Sequence, residues 1–129
     1  MKKMYLLLLV FVIGSSCASA QETPPVAKKK FMQITTVESV VSGGLGRSKM
    51  LVTSGDGTQK EIDMENLFSL VGINFKNILQ NENLVVKTLK TYTDDGWRID
   101  QVTPFTLSPG SNGGVGIFMT RYFLSKSES

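Results

Sequence analysis

Three carboxylates fall within seven positions of one another, Asp94, Asp95 and Asp100, and they hold most of the chain's capacity for chemistry. Carboxylate oxygens are hard ligands suited to calcium, and two acids flanking a glycosidic bond can act as general acid and base. The spacing lacks the Asp-x-Asp-x-Asp-Gly loop of a dedicated calcium site. A sugar-cleaving pair also needs a sizeable cleft, and a chain this short carries no large insertion to build one. Asp94 and Asp95 therefore read first as solvated acids at a helix end, with Asp100 beside them as a weak third candidate for a metal. Arg121 is the other informative charge. It interrupts an otherwise apolar strand face, where it either binds an anionic ligand or pairs with an acid such as Asp100 across a sheet.

The residue inventory excludes much else. The chain of 129 residues has no histidine, and its single cysteine is Cys17. Cys/His zinc sites, Ser-His-Asp and Cys-His nucleophile arrangements and imidazole pH switches are all ruled out on composition. Gly43, Gly44 and Gly46 precede Lys49, but not at the Gly-x-x-x-x-Gly-Lys-Ser/Thr spacing that cradles phosphate, so they read as a turn. No catalytic residue and no cofactor is assigned.

Residues 1–20 read as a secretory signal peptide. Lys2 and Lys3 lead into the apolar run Met4 to Ile13, and Ala18-Ser19-Ala20 supplies small residues for cleavage after Ala20. The run is roughly half the length a helix needs to cross a bilayer. Export to the periplasm or the medium follows. Cys17 offers an alternative as the lipid-attachment site of an outer-membrane lipoprotein, although Gly14 stands where such signals carry an aliphatic residue. A membrane is a partner only in that case. The formal net charge of +3 falls to about +1 once Lys2 and Lys3 depart. Lys28-Lys29-Lys30 lies beside Pro24-Pro25 in a segment, residues 21–30, that reads as a solvated tether. Without a clustered basic face, nucleic acid is not an expected partner.

Residues 31–126 form one α+β domain, followed by a tail at 127–129. Phe31 to Val41 alternates as a strand, with Met32, Ile34 and Val40 on one face and Phe31, Val37 and Val41 on the other. Ser54-Gly55-Asp56-Gly57 joins strands at Lys49 to Thr53 and Thr58 to Ile62 as a hairpin. Asp63 caps a short helix through Leu70, with Leu67, Phe68 and Val71 inward, until Gly72 interrupts it. A longer helix carries Phe75, Ile78, Leu79, Val85, Leu89 and Tyr92, with Asn81 or Asn83 either capping a fresh helix or lying inside a continuous one. Gly96 closes it after Asp95. Arg98 to Leu107 and Val115 to Lys126 are the last strands, joined by Ser108 to Gly114. The final strand is apolar on both faces, which requires a cover on its second face: loops and the short helix, or a partner subunit. The expected fold is an antiparallel sheet of four to five strands with helices on one face, in the order β-β-β-α-α-β-β.

The run from Thr93 through Asp94-Asp95-Gly96-Trp97-Arg98 to Pro104, followed by Thr120-Arg121-Tyr122-Phe123-Leu124, resembles a DUF4177-like family of small bacterial exported domains of unknown function, in which a helix ends in Gly-Trp and feeds a strand. The resemblance covers about Leu84 to Lys126. It implies a small antiparallel sheet with a packed helix and gives Gly96 and Trp97 structural roles, but no catalytic residues. Trp97 either anchors a binding surface or fills the corner between helix and sheet, and its place after the helix stop favours the corner. Function is then expected to be that of a non-enzymatic binding or assembly module of the cell envelope, with a homo-oligomer or an envelope protein as partner. The alternatives are a carboxylate-based metal-binding or enzymatic domain, and a secreted inhibitor or ligand carrier working through Ser108 to Gly114. The leader makes a direct prediction: the intact mass of the mature protein starts at Gln21, whereas a mass with acyl groups on Cys17 would establish the lipoprotein form instead.

Overall fold

The computed structural model describes residues 28–41, 46–108 and 116–128. The leader with Cys17 and the cleavage site after Ala20, most of the tether, and the loop beyond Ser108 lie outside the described residues. The elements in chain order are β1 (Lys29–Val40), β2 (Ser48–Ser54), β3 (Gln59–Met64), β4 (Phe68–Ser69), β5 (Gly72–Ile73), α1 (Phe75–Asp94), β6 (Arg98–Leu107) and β7 (Gly116–Ser127). Five strands form one antiparallel sheet in the order β3-β2-β1-β7-β6, and β4 and β5 form a small sheet of their own. The architecture is α+β and mostly sheet.

The alternation of β1 gives the sheet its inner face. Met32 and Ile34 are buried against Met50 and Val52 of β2, Met64 of β3 and Leu124 of β7. Leu84, Val85, Leu89 and Tyr92 of α1 pack onto this cluster, together with Ile62, Trp97 and Tyr122. β1 takes in Lys29 and Lys30, which composition alone places in a tether, because β7 runs on far enough to pair them with Ser127 and Lys126. The ladder also absorbs Ser127 of the expected tail.

Among the described residues one helix is present where two were expected. Asp63, expected as an N-cap, lies in β3 opposite Lys49, with which it forms an ion pair of 2.9 Å. The apolar residues after it build the β4–β5 hairpin, in which Phe68 pairs with Ile73 and Ser69 with Gly72. Gly72 takes the left-handed φ of +116° that closes this turn, and the Ser69 hydroxyl accepts from the Val71 amide and donates to the Gly72 carbonyl. Eight residues from Asp63 to Leu70 offer too few helical bonds to offset a helix nucleus, and the ladder with β2 wins.

The single helix is continuous over 20 residues, with Asn74 as its N-cap accepting from the Asn77 amide. It ends in a Schellman closure: the Gly96 amide bonds the Thr93 carbonyl and the Trp97 amide bonds the Tyr92 carbonyl. Gly96 supplies the required φ of +85°.

Three asparagines dock the first half of the helix onto the chain leaving β3. The Asn74 backbone N–H donates to the Leu67 carbonyl at 2.9 Å, and Asn77 Nδ2 donates to the Asn66 carbonyl at 2.8 Å. Asn81, only 2% exposed, accepts from the Glu65 amide at 2.8 Å through Oδ1 and donates through Nδ2 to the Glu65 carbonyl and to Glu38 Oε1, each at 2.9 Å. Asn81 is thus a clamp inside the helix, not a cap. Removing its amide strands three polar partners, and buried groups left unpaired cost about 1–3 kcal/mol each before relaxation or hydration. Asn81→Leu is expected to lower unfolding free energy by about 2–3 kcal/mol in urea titrations; a loss under about 0.5 kcal/mol would contradict the clamp.

Candidate functional site

The three acids do not converge. Asp94 pairs with Lys90 one helical turn earlier at 2.8 Å, Asp95 with Lys126 of β7 at 3.1 Å, and Asp100 with Arg98 at 2.8 Å. Two carboxylates that oppose the helix dipole are thereby each given a cation. Among the described residues no group of three or more His, Cys, Asp or Glu side chains is placed to hold a metal ion. Lys49, between Asp63 and Glu61 on the β2–β3 edge, has its ammonium pKa raised by those two carboxylates, Asp63 foremost.

Arg121 does not meet Asp100. The register sets Arg121 between Thr35 of β1 and Thr103 of β6, whereas Asp100 falls at an irregularity between Ile99 and Gln101 near the other end of β6. There Ser125 and Arg98 hydrogen-bond the Asp100 carboxylate and hold its pKa below the ordinary value. Trp97 is half-buried and packs against the core at the corner where helix gives way to sheet.

On the sheet face opposite the helix, Arg121 occupies a constructed setting. Gln33 Nε2 donates to Thr35 Oγ1 at 3.0 Å on one side, and Gln101 Nε2 donates to Thr103 Oγ1 at 3.4 Å on the other. Phe123 lies between the two glutamines in the same register and stacks on Phe31 with ring centroids 5.5 Å apart. Each threonine oxygen accepts one hydrogen bond and retains an O–H to donate and a second lone pair. No carboxylate among the described residues pairs with Arg121. The nearest acid in its row, Glu61, is three strands away through Thr35 and Leu51, roughly 14 Å at ordinary strand spacing. Beside the guanidinium, Thr103, Pro104, Phe105 and Met119 complete a recess of ≈ 330 Å³. Such an array supplies donors and apolar walls, the equipment for holding an anion. Sequence reading singled out Arg121 but missed its neighbours, whose signal is the repeated Gln-x-Thr of Gln33-Ile34-Thr35 and Gln101-Val102-Thr103.

The same half of the sheet is uncovered on its other sides. Every residue of β6 is exposed, including Ile99, Val102, Phe105 and Leu107, the last three to about half. Among the described residues, the outer edge of β6 has no strand partner. Compared with family models, curated proteins and solved structures, the chain matches none.

Asp100 yields a pH prediction. A carboxyl whose folded pKa is depressed contributes stability that is complete above its unfolded value and lost as pH falls through the folded one. With its reference value at 3.8, Asp100→Asn should be less stable than the parent near neutral pH, and the gap should close as pH drops below about 3.8. Urea midpoints at about pH 7 and about pH 2 check this; an unchanging gap would refute it.

Proposed function

We propose that the protein is an exported, non-enzymatic binding or assembly module of the cell envelope, whose contact surface is the β6–β7 half of the sheet. The observation that carries the reading is β6 itself: a ten-residue edge strand, exposed at every position and bearing four large apolar side chains. Soluble domains blunt such edges with charge, bulges or a covering element. The opposite edge, β3, is so protected, with Lys60, Glu61 and Asp63 along it and Lys49 bridging two of its acids. β6 has Arg98, Asp100 and its bulge at one end only, and Pro104 removes a single donor from the remainder. The favoured partner is a second copy, because antiparallel pairing of β6 with itself is isologous and closes on a dimer. The leader and the resemblance of the Gly96-Trp97 segment to small exported domains support the envelope setting.

Light scattering during size exclusion tests this. The reading predicts a dimer for the protein at about 100 μM, and a monomer of unchanged circular dichroism for Val102→Lys, which puts a charge on the paired edge. A monomeric parent at that concentration would overturn it.

A further inference from the structure

We propose that the Arg121 recess is a binding site for a small amphipathic carboxylate, with the guanidinium and the Thr103 hydroxyl holding the carboxylate and Phe105 and Met119 lining its apolar chain. The proposal rests on reading the β6–β7 half as a contact surface, and it names what the outward face of that half recognises. Edge pairing through β6 leaves this face accessible.

Charge sets the ligand's head. Arginine stays protonated at any working pH and presents a planar fork that matches a carboxylate with two parallel hydrogen bonds. Arg121 has no acidic partner among the described residues, so a ligand displaces no existing ion pair. The glutamines bear on direction: Gln33 and Gln101 each give an amide hydrogen to the threonine two residues on in the same strand, and the Thr103 O–H is left to donate into the recess. The fixed positive charge of Arg121, with the Thr103 hydroxyl beside it in the recess, favours an anion over a cation.

Shape and apolarity set the tail. The recess beside Arg121 measures ≈ 330 Å³, and at about 30 Å³ per heavy atom of liquid it takes on the order of ten atoms. Its walls include Pro104, Phe105 and Met119, which reward a hydrocarbon chain and not a sugar or a nucleotide. Arginine in the middle of an apolar, half-exposed strand pair is otherwise a poor choice, since a threonine there would keep the strand propensity without the charge.

The test is a titration of the full mature protein with decanoate, held below its micelle concentration and followed by backbone amide shifts. Decanol and acetate serve as the tail-only and head-only probes. Saturable shifts centred on Thr103 and Arg121 are expected with decanoate, with affinity weaker by about tenfold or more for decanol and for Arg121→Gln, in line with loss of a charge-assisted pair. Thr103→Val should weaken decanoate by a few-fold while Arg121→Lys retains part of the binding. Equal binding of decanol, undiminished binding by Arg121→Gln with an unchanged thermal midpoint, or no saturable shift with decanoate would each overturn the proposal. Light scattering on the same samples keeps the two readings apart: a monomer that binds decanoate through Arg121 upholds this site and removes only the assembly reading.

Discussion

The fold depends on three asparagines at positions 74, 77 and 81 that fasten the helix to consecutive backbone residues 67, 66 and 65. Backbone leaving a sheet edge carries donors and acceptors that need partners once buried, and here the helix supplies them from its own side. Asn81 reaches further, to Glu38 on β1, so the helix is located over the β1–β2–β3 half of the sheet. At its far end the Schellman closure, Trp97 in the corner and the Asp95–Lys126 pair fix the exit into β6. With both ends set, Leu84, Val85 and Leu89 have one place to pack.

That placement decides what is left open. Five strands span about 19 Å at the usual spacing, while one helix with its side chains covers about 10–12 Å. The one helix among the described residues packs on a cluster from β1, β2, β3 and β7 and leaves β6 exposed. The consequence is a gradient across the helix-side face, from Ile34, Met50 and Leu124 with no exposure to Val102 at half exposure, while Phe105 and Leu107 are half exposed on the opposite face. The two edges answer this differently: β3 is charged, and β6 carries the apolar surface that an assembly or a ligand can bury.

Much of this was legible in the chain. Val, Ile and Thr in β1 and the Asp56-Gly57 turn signal strands and a hairpin, because period and turn chemistry are local properties. Gly96 is readable for the same reason, since only a left-handed residue closes the helix there. The Asp63 to Leu70 segment misleads, because four apolar residues at helical spacing do not reveal that Asp63 has Lys49 across from it. Asn81 hides its role in plain composition: an asparagine within a helix looks like a cap or a break, and its partners at Glu38 and Glu65 are 43 and 16 residues away. The Arg121 site was visible as one odd charge. Its expected partner, Asp100, was wrong because the β6–β7 register sets Thr103 opposite Arg121 and leaves Asp100 three residues away along β6, and cross-strand register has no signature in either residue.

The central claim is that β6 is an edge built to be covered. Amide hydrogen exchange read strand by strand, at protein concentrations from about 1 μM to about 100 μM, addresses it directly. The account predicts that β6 gains protection as concentration rises while the charged edge β3 exchanges at an unchanged rate. Protection of β6 that stays constant over the whole range would contradict it.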